Sequence, residues 1–128
     1  MPSGTANALS CEVDNASVAL APFMPPPPDG VSKGEVRVSY VFTVSTRDPL
    51  GNPISCRFDW GDGEKSKWTE PCPPDATHAL AHAWNKPGKY DVCAQARNIR
   101  GARTCWGPAV RVTITDNDRE ASGVRLTR

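Results

Sequence analysis

The chain has 128 residues, enough for one domain with a buried core and some tail. Its 15 Lys+Arg against 14 Asp+Glu leave a net charge of +1, so no strong field marks nucleic acid or an anionic membrane as a partner. No apolar run approaches the ~20 residues that cross a bilayer, and the start, MPSGTANALSCEV, lacks the basic and apolar regions of a signal peptide.

Residues 1–24 read as an N-terminal extension, with Val18-Ala19-Leu20-Ala21 hinting at a short strand and Asn15-Ala16-Ser17 fitting the N-glycosylation pattern. Met24-Pro25-Pro26-Pro27-Pro28-Asp29-Gly30 cannot join a ladder, because proline lacks the N–H donor and prefers polyproline II. The run is expected to be a stiff linker or the extended lead into a domain, with an SH3-type ligand as the functional alternative. Val36 to Ser45 alternates β-branched and aromatic residues like a half-buried strand. Asp48-Pro49-Leu50-Gly51-Asn52-Pro53 is a turn. In the next strand Ile54, Cys56, Phe58 and Trp60 share one face, with Ser55, Arg57 and Asp59 on the other.

After Gly61-Asp62-Gly63, residues 65–69 are expected to form a short edge strand carrying Trp68, stopped by Pro71-Cys72-Pro73-Pro74. Residues 77–84 are read as a strand. Tyr90, Val92, Ala94 and Ala96 line one face of the strand after Pro87-Gly88, and Asp91, Cys93, Gln95 and Arg97 the other. A hairpin over Ile99 to Ala102 and a last strand with Val110, Val112 and Ile114 inward complete the pattern, and 116–128 is a charged tail. Short strands with turns every 8–12 residues predict an all-β, two-sheet sandwich of about seven strands over 25–115. Residues 1–35 carry four acids and one base and residues 36–115 eleven bases and seven acids. The folded part is thus mildly basic.

Five motifs carry a family resemblance: Asp48-Pro49-Leu50-Gly51-Asn52-Pro53, Asp59-Trp60-Gly61-Asp62-Gly63, His82-Ala83-Trp84, Pro87-Gly88-Lys89-Tyr90 and Asn98-Ile99-Arg100-Gly101. In order and spacing they resemble the PKD (polycystic kidney disease) domain, an immunoglobulin-like β-sandwich. Trp68 and Thr104-Cys105-Trp106 are similar to a bacterial and archaeal cell-surface variety. The resemblance implies a non-catalytic extracellular module, a spacer or adhesive domain for protein contact. It carries the alternative of a carbohydrate-binding accessory domain of a secreted hydrolase or protease. The expected partners are protein or polysaccharide at the cell surface, with no nucleic acid and no membrane insertion, and the isolated module is expected to be monomeric.

The site readings follow from chemistry. Gly61 and Gly63 suit positive φ, and Asp62 suits an Asx-turn, so Phe58, Asp59, Trp60, Gly61, Asp62 and Gly63 read as a structural corner; the resemblance implies that His82, Trp84, Pro87, Gly88 and Tyr90 are structural as well. No cofactor is required. Calcium is the ion the acidic loop would take, with Asp59, Asp62 and Asp75 as first ligands. His78 and His82, with Cys72 upstream, have a zinc-like spacing on a helix, but on a strand they stand about 13 Å apart. Trp68 and Trp106, beside turns, are the rings that would stack on sugar if exposed; packing against each other is the other expectation. Tyr90 reads as a tyrosine corner.

Five cysteines with no Cys-x-x-Cys pair point to disulfides and an oxidising compartment, hence a secreted or cell-surface chain. Many pairings are open. Face parity disfavours Cys56–Cys93, so the expected bonds are Cys56–Cys72 and Cys93–Cys105, each adding ~3 kcal/mol, with Cys11 free or joined to another chain.

Overall fold

The computed structural model describes residues 20–116. Six strands run in chain order: β1 (Lys33–Glu35), β2 (Tyr40–Val44), β3 (Ile54–Asp59), β4 (His78–His82), β5 (Gly88–Asn98) and β6 (Val110–Thr115). They form a four-stranded sheet in the order β1-β6-β5-β3 and a two-stranded sheet of β2 and β4, so the described residues are an all-β two-sheet sandwich. The 11-residue β5 organises the larger sheet. Its first half pairs with β6, setting Tyr90 against Val112, and its second half pairs with β3, setting Ala94 against Phe58 and Ala96 against Cys56.

Small residues on β5 leave room for large ones elsewhere. Phe42 and Val44 come from the two-stranded sheet to meet Ile54, Phe58, Trp60, Val92, Val112 and Ile114. Trp84, fully buried, closes this core and donates from Nε1 to the Trp60 carbonyl at 3.1 Å. Phe42 meets both tryptophans edge-on with centroids 5.9 Å apart, the geometry that aromatic quadrupoles favour.

Three segments depart from the sequence expectations. The strand expected over 36–45 begins only at Tyr40, because Arg37 takes φ 64° and turns the chain from one sheet to the other. Before that turn, the polar β1 pairs parallel to β6 through Lys33–Thr113 and Glu35–Thr115; three residues without apolar alternation gave no signal of it.

Residues 65–69 form no regular strand beside β3, although Ser66 and Thr69 donate backbone N–H groups to Phe58 and Cys56. The return bonds, from Phe58 N–H and Cys56 N–H, go to Ser66 Oγ and Thr69 Oγ1 at 2.9 Å instead of to carbonyls. Hydroxyls that compete for ladder donors break the strand. The segment 103–107 runs along β5 in the same manner, with Ala96 N–H donating to Thr104 Oγ1.

The proline run is the extended lead into the domain. Pro22, Pro25 and Pro28 are buried and the residues between them exposed, the three-residue period of polyproline II. Phe23 and Asp29 bond the backbone of Arg47 and Thr43, so this strip packs on the domain.

Candidate functional site

Two regions gather the chemistry-bearing residues, and β3 connects them. At its C-terminal end lies the aspartate–glycine corner. Gly61 takes φ 82°, and a Cβ there would stand 2.6 Å from the Asp91 carbonyl oxygen; only glycine lets the turn lie against β5. Asp59 Oδ1 accepts the Gly61 N–H and Asp62 Oδ1 the Glu64 N–H, each at 3.0 Å, and these Asx-turns fix the loop. The second Asp62 oxygen accepts from His82 Nε2 at 2.8 Å. The His82 ring stacks on Trp60 at 4.6 Å and meets the edge of Trp84 at 4.9 Å. Pro87 precedes β5, which Gly88 opens; Tyr90 then stacks on Trp84 and donates its hydroxyl to the Lys86 carbonyl at 2.6 Å.

The candidate calcium ligands are not brought together as a set. Asp75, at φ 73°, pairs instead with Arg47 at 3.0 Å on the surface. Among the described residues the grouping with metal-ligand spacing is Asp62, Glu64 and His82, whose ligand atoms lie within 4.8 Å of one another. A nitrogen donor in that set suits a transition metal better than calcium. Twenty positions separate Asp62 from His82, and no local spacing announces the contact.

His78 and His82 serve different neighbours. The Thr69 hydroxyl accepts from Cys56 N–H and is hydrogen-bonded to His78 Nδ1 at 2.7 Å. Burial pushes the His78 pKa down from its ordinary 6.5. Cys72 Sγ donates to the Glu70 carbonyl at 3.4 Å.

Neither expected disulfide forms. Cys56, Cys72 and Cys93 are free thiols, and Cys105 is not among them. Cys56 faces the core on β3, whereas Cys72 lies in the segment that covers the sheet edge, bridged to Ile54. Burial, aided by Cys72, pushes the Cys56 thiol up to about 12. Burial, with Asp59 and Asp91, pushes Cys93 up to about 11. Cys11 lies outside the described residues.

The second region is the outer face of β3 and β5. Trp68 and Trp106 do not stack on each other; arginine stands between them. The Arg57 guanidinium lies 4.8 Å from the Trp68 ring centroid and 5.1 Å from that of Trp106, and Arg97 lies 4.3 Å over Trp68. Arg57 Nε also donates to Gln95 Oε1 at 2.9 Å, and Gln95 Nε2 to the Thr104 carbonyl at 2.8 Å. Both tryptophans are half-buried.

Sequence reasoning treated Asp48 and Asn98 only as turn residues, and the structure joins them. Asn98 Nδ2 donates to Asp48 Oδ1 at 2.9 Å, while Asp48 Oδ2 accepts from Leu50, from the Asn52 backbone and from the Asn52 side chain. Burial opposes ionisation of Asp48, but the bonds from Asn98, Asn52 and Leu50 outweigh it and hold its pKa below 3.8.

Sandwich, tyrosine hydroxyl bond and glycine corner define an immunoglobulin-like module. Comparison with known proteins makes it specific: the structure matches the PKD domain of an M14-like peptidase from Thermoplasmatales archaeon SCGC AB-540-F20. The TM-score is 0.69 at 31% sequence identity, over 77% of this chain and 100% of that one. The chain belongs to the PKD family. The CARDB domain of the PF1109 protein from Pyrococcus furiosus, solved in complex with di-metal ions, shares the fold at 16% identity (TM-score 0.52, 78% of this chain, 99% of that one). No family model matches the sequence, and no curated protein does.

Proposed function

We propose that the chain is a non-catalytic extracellular module that spaces or presents neighbouring parts and offers a strand face or loop for protein contact. The observation that carries this reading is where the reactive side chains are used. Asp59 and Asp62 hold a turn, His82 is fixed between Asp62 and Trp60, and His78 is hydrogen-bonded to Thr69. The Cys56 and Cys93 thiols, at about 12 and about 11, lie far above the range of a nucleophilic cysteine. Family membership supports the extracellular setting, since PKD domains of peptidases typically act outside cells. The match to a domain of an M14-like peptidase fits an accessory role beside secreted catalysis.

The competing reading, a carbohydrate-binding accessory domain, requires rings open to a sugar face. Guanidinium groups already lie over Trp68 and Trp106, which favours protein contact. The test is tryptophan emission during titration with soluble polysaccharides, together with retention on insoluble ones and assay for peptide hydrolysis. Unchanged emission, no retention and no turnover are expected. A polysaccharide-dependent shift with retention would move the assignment to sugar binding, and hydrolysis that tracks the purified chain would end the non-catalytic reading.

A further inference from the structure

Sheet edges template pairing with other chains unless they are blunted, and among the described residues every edge but one is blunted. On its far side β2 meets Asp29, which exchanges backbone hydrogen bonds with Thr43, and β3 meets Ser66, Thr69 and Cys72. Past the end of β6, Thr104 and Gly107 bond the free half of β5. The edge of β1 is 3 residues long, carries Lys33 and Glu35, and donates the Glu35 N–H to the Tyr40 hydroxyl. β4 has no such cover: it pairs with β2 alone. No isolated bridge and no further backbone bond reaches it from the described residues. Alternate N–H and C=O groups along β4 therefore point away from β2 without a partner.

The open edge also lacks the residues that keep edges apart. His78-Ala79-Leu80-Ala81-His82 holds no lysine, no carboxylate and no proline. Its outward side chains are small and apolar: Ala79 and Ala81 are exposed, and Val41, opposite Ala81 on β2, is 57% exposed. The strand also reads the same in both directions. An antiparallel strand of this same sequence, centred on Leu80, sets Leu80 against Leu80, Ala79 against Ala81 and His78 against His82. Directly opposed residues share a face, so alanines meet on the outer face and leucines on the inner one, with no carboxylate or ammonium against its like.

We propose that β4 pairs antiparallel with β4 of a second copy of this chain, joining two two-stranded sheets into one of four strands. The inference rests on the reading of the chain as a protein-contact module and names the strand and its partner; it departs from the expectation of an isolated monomer. Because the strand is self-complementary, one two-fold contact satisfies both copies and closes the assembly at a dimer. The join is short, so a weak dimer is expected, with a dissociation constant of about 0.1 mM.

The experiment is sedimentation equilibrium of the full chain from about 10 μM to about 1 mM, with accessible thiols alkylated so that no cross-link forms. Reversible dimerisation is expected for the unaltered chain. Ala79→Lys with Ala81→Lys sets lysine against lysine at both outer pairs and is expected to weaken the dimer about ten-fold or more. Ala79→Glu with Ala81→Lys sets opposite charges at the same two pairs and is expected to associate at least as tightly as the unaltered chain. Both positions are exposed, and an unchanged urea midpoint checks that each variant keeps the fold. If the double lysine variant loses it, Ala79→Glu with Ala81→Glu carries the like-charge arm.

Three outcomes overturn the proposal. A chain that stays monomeric throughout hands the edge to a strand of a different protein. Equal affinity in the like-charge and opposite-charge variants removes the register, and a dimer untouched by either places the contact elsewhere. Each leaves the spacer reading standing, because polysaccharide retention and hydrolysis assays decide that separately.

Discussion

The two faces of β3 put the same strand to opposite uses. Inward, Ile54, Cys56 and Phe58 are sealed from water, with Trp60 just beyond them, and their neighbours are other apolar groups. Outward, Arg57 and Asp59 work through directional contacts: Arg57 with two indoles and Gln95, Asp59 with the backbone of its own turn. The inner face has its value from area removed from water, which is large and not directional. The outer face has its value from charge placed on a rigid frame, which is small in stability and specific in geometry. A fold can thus be secured by one face of a strand while the other carries fixed charge.

The largest effect that sharpens this contrast lies on the inner side. Trp84→Ala removes the side chain that joins Phe42, Trp60, His82 and Tyr90. It is expected to cost about 3–5 kcal/mol, read as a lower urea midpoint with a similar slope. A loss below about 1 kcal/mol would mean that the aromatic cluster is not the core. Gly61→Ala comes next, at about 2 kcal/mol, from positive φ and a Cβ pressed 2.6 Å from a backbone oxygen that cannot swing away. Gly63→Ala, at φ 95° with nothing within 4 Å, should cost less, and the difference between the two isolates the steric part.

Between these and the outer face stands a pH effect. His78 is held neutral by burial and its pKa is lowered. Below about pH 6.5 the unfolded chain therefore binds a proton that the folded chain refuses, and stability falls as pH drops toward the depressed folded value. Asp48 has its carboxyl held below 3.8, so its contribution is present above that pH and is lost only as pH falls through the lower folded value. Thermal midpoints across pH should decline in two stages, and His78→Gln should abolish the first. A single stage starting below pH 4 would remove His78 from the account.

Legibility in the sequence followed the same divide. The alternation of Ile54, Cys56, Phe58 and Trp60 is enforced by the period-two pleat, so the inner face could be read directly, and with it the sandwich. The outer arrangement could not. Trp68 and Trp106 reach Arg57 from segments that follow different strands, and no local period records a contact of that kind. The same limit hid the Asp48–Asn98 bond and the meeting of Asp62 with His82. Cysteine pairing failed for a related reason: strand parity places Cys56 inward, but it says nothing of where the covering segment leaves Cys72.

The smallest predicted effect bears most directly on the outer face. Removing the ring with Trp68→Ala should cost only about 1 kcal/mol beyond its buried area, because cation–π contacts at half-exposed sites are worth about that much. The informative quantity is the coupling in a double-mutant cycle of Trp68→Ala with Arg57→Met, which keeps the aliphatic stem and removes the charge. Coupling of about 0.5–1 kcal/mol is expected, weakly sensitive to salt because the ring screens no counter-charge and the guanidinium is partly buried. Zero coupling would mean that Trp68 merely covers the edge of β3 and that Arg57 owes its place to Gln95 and Trp106.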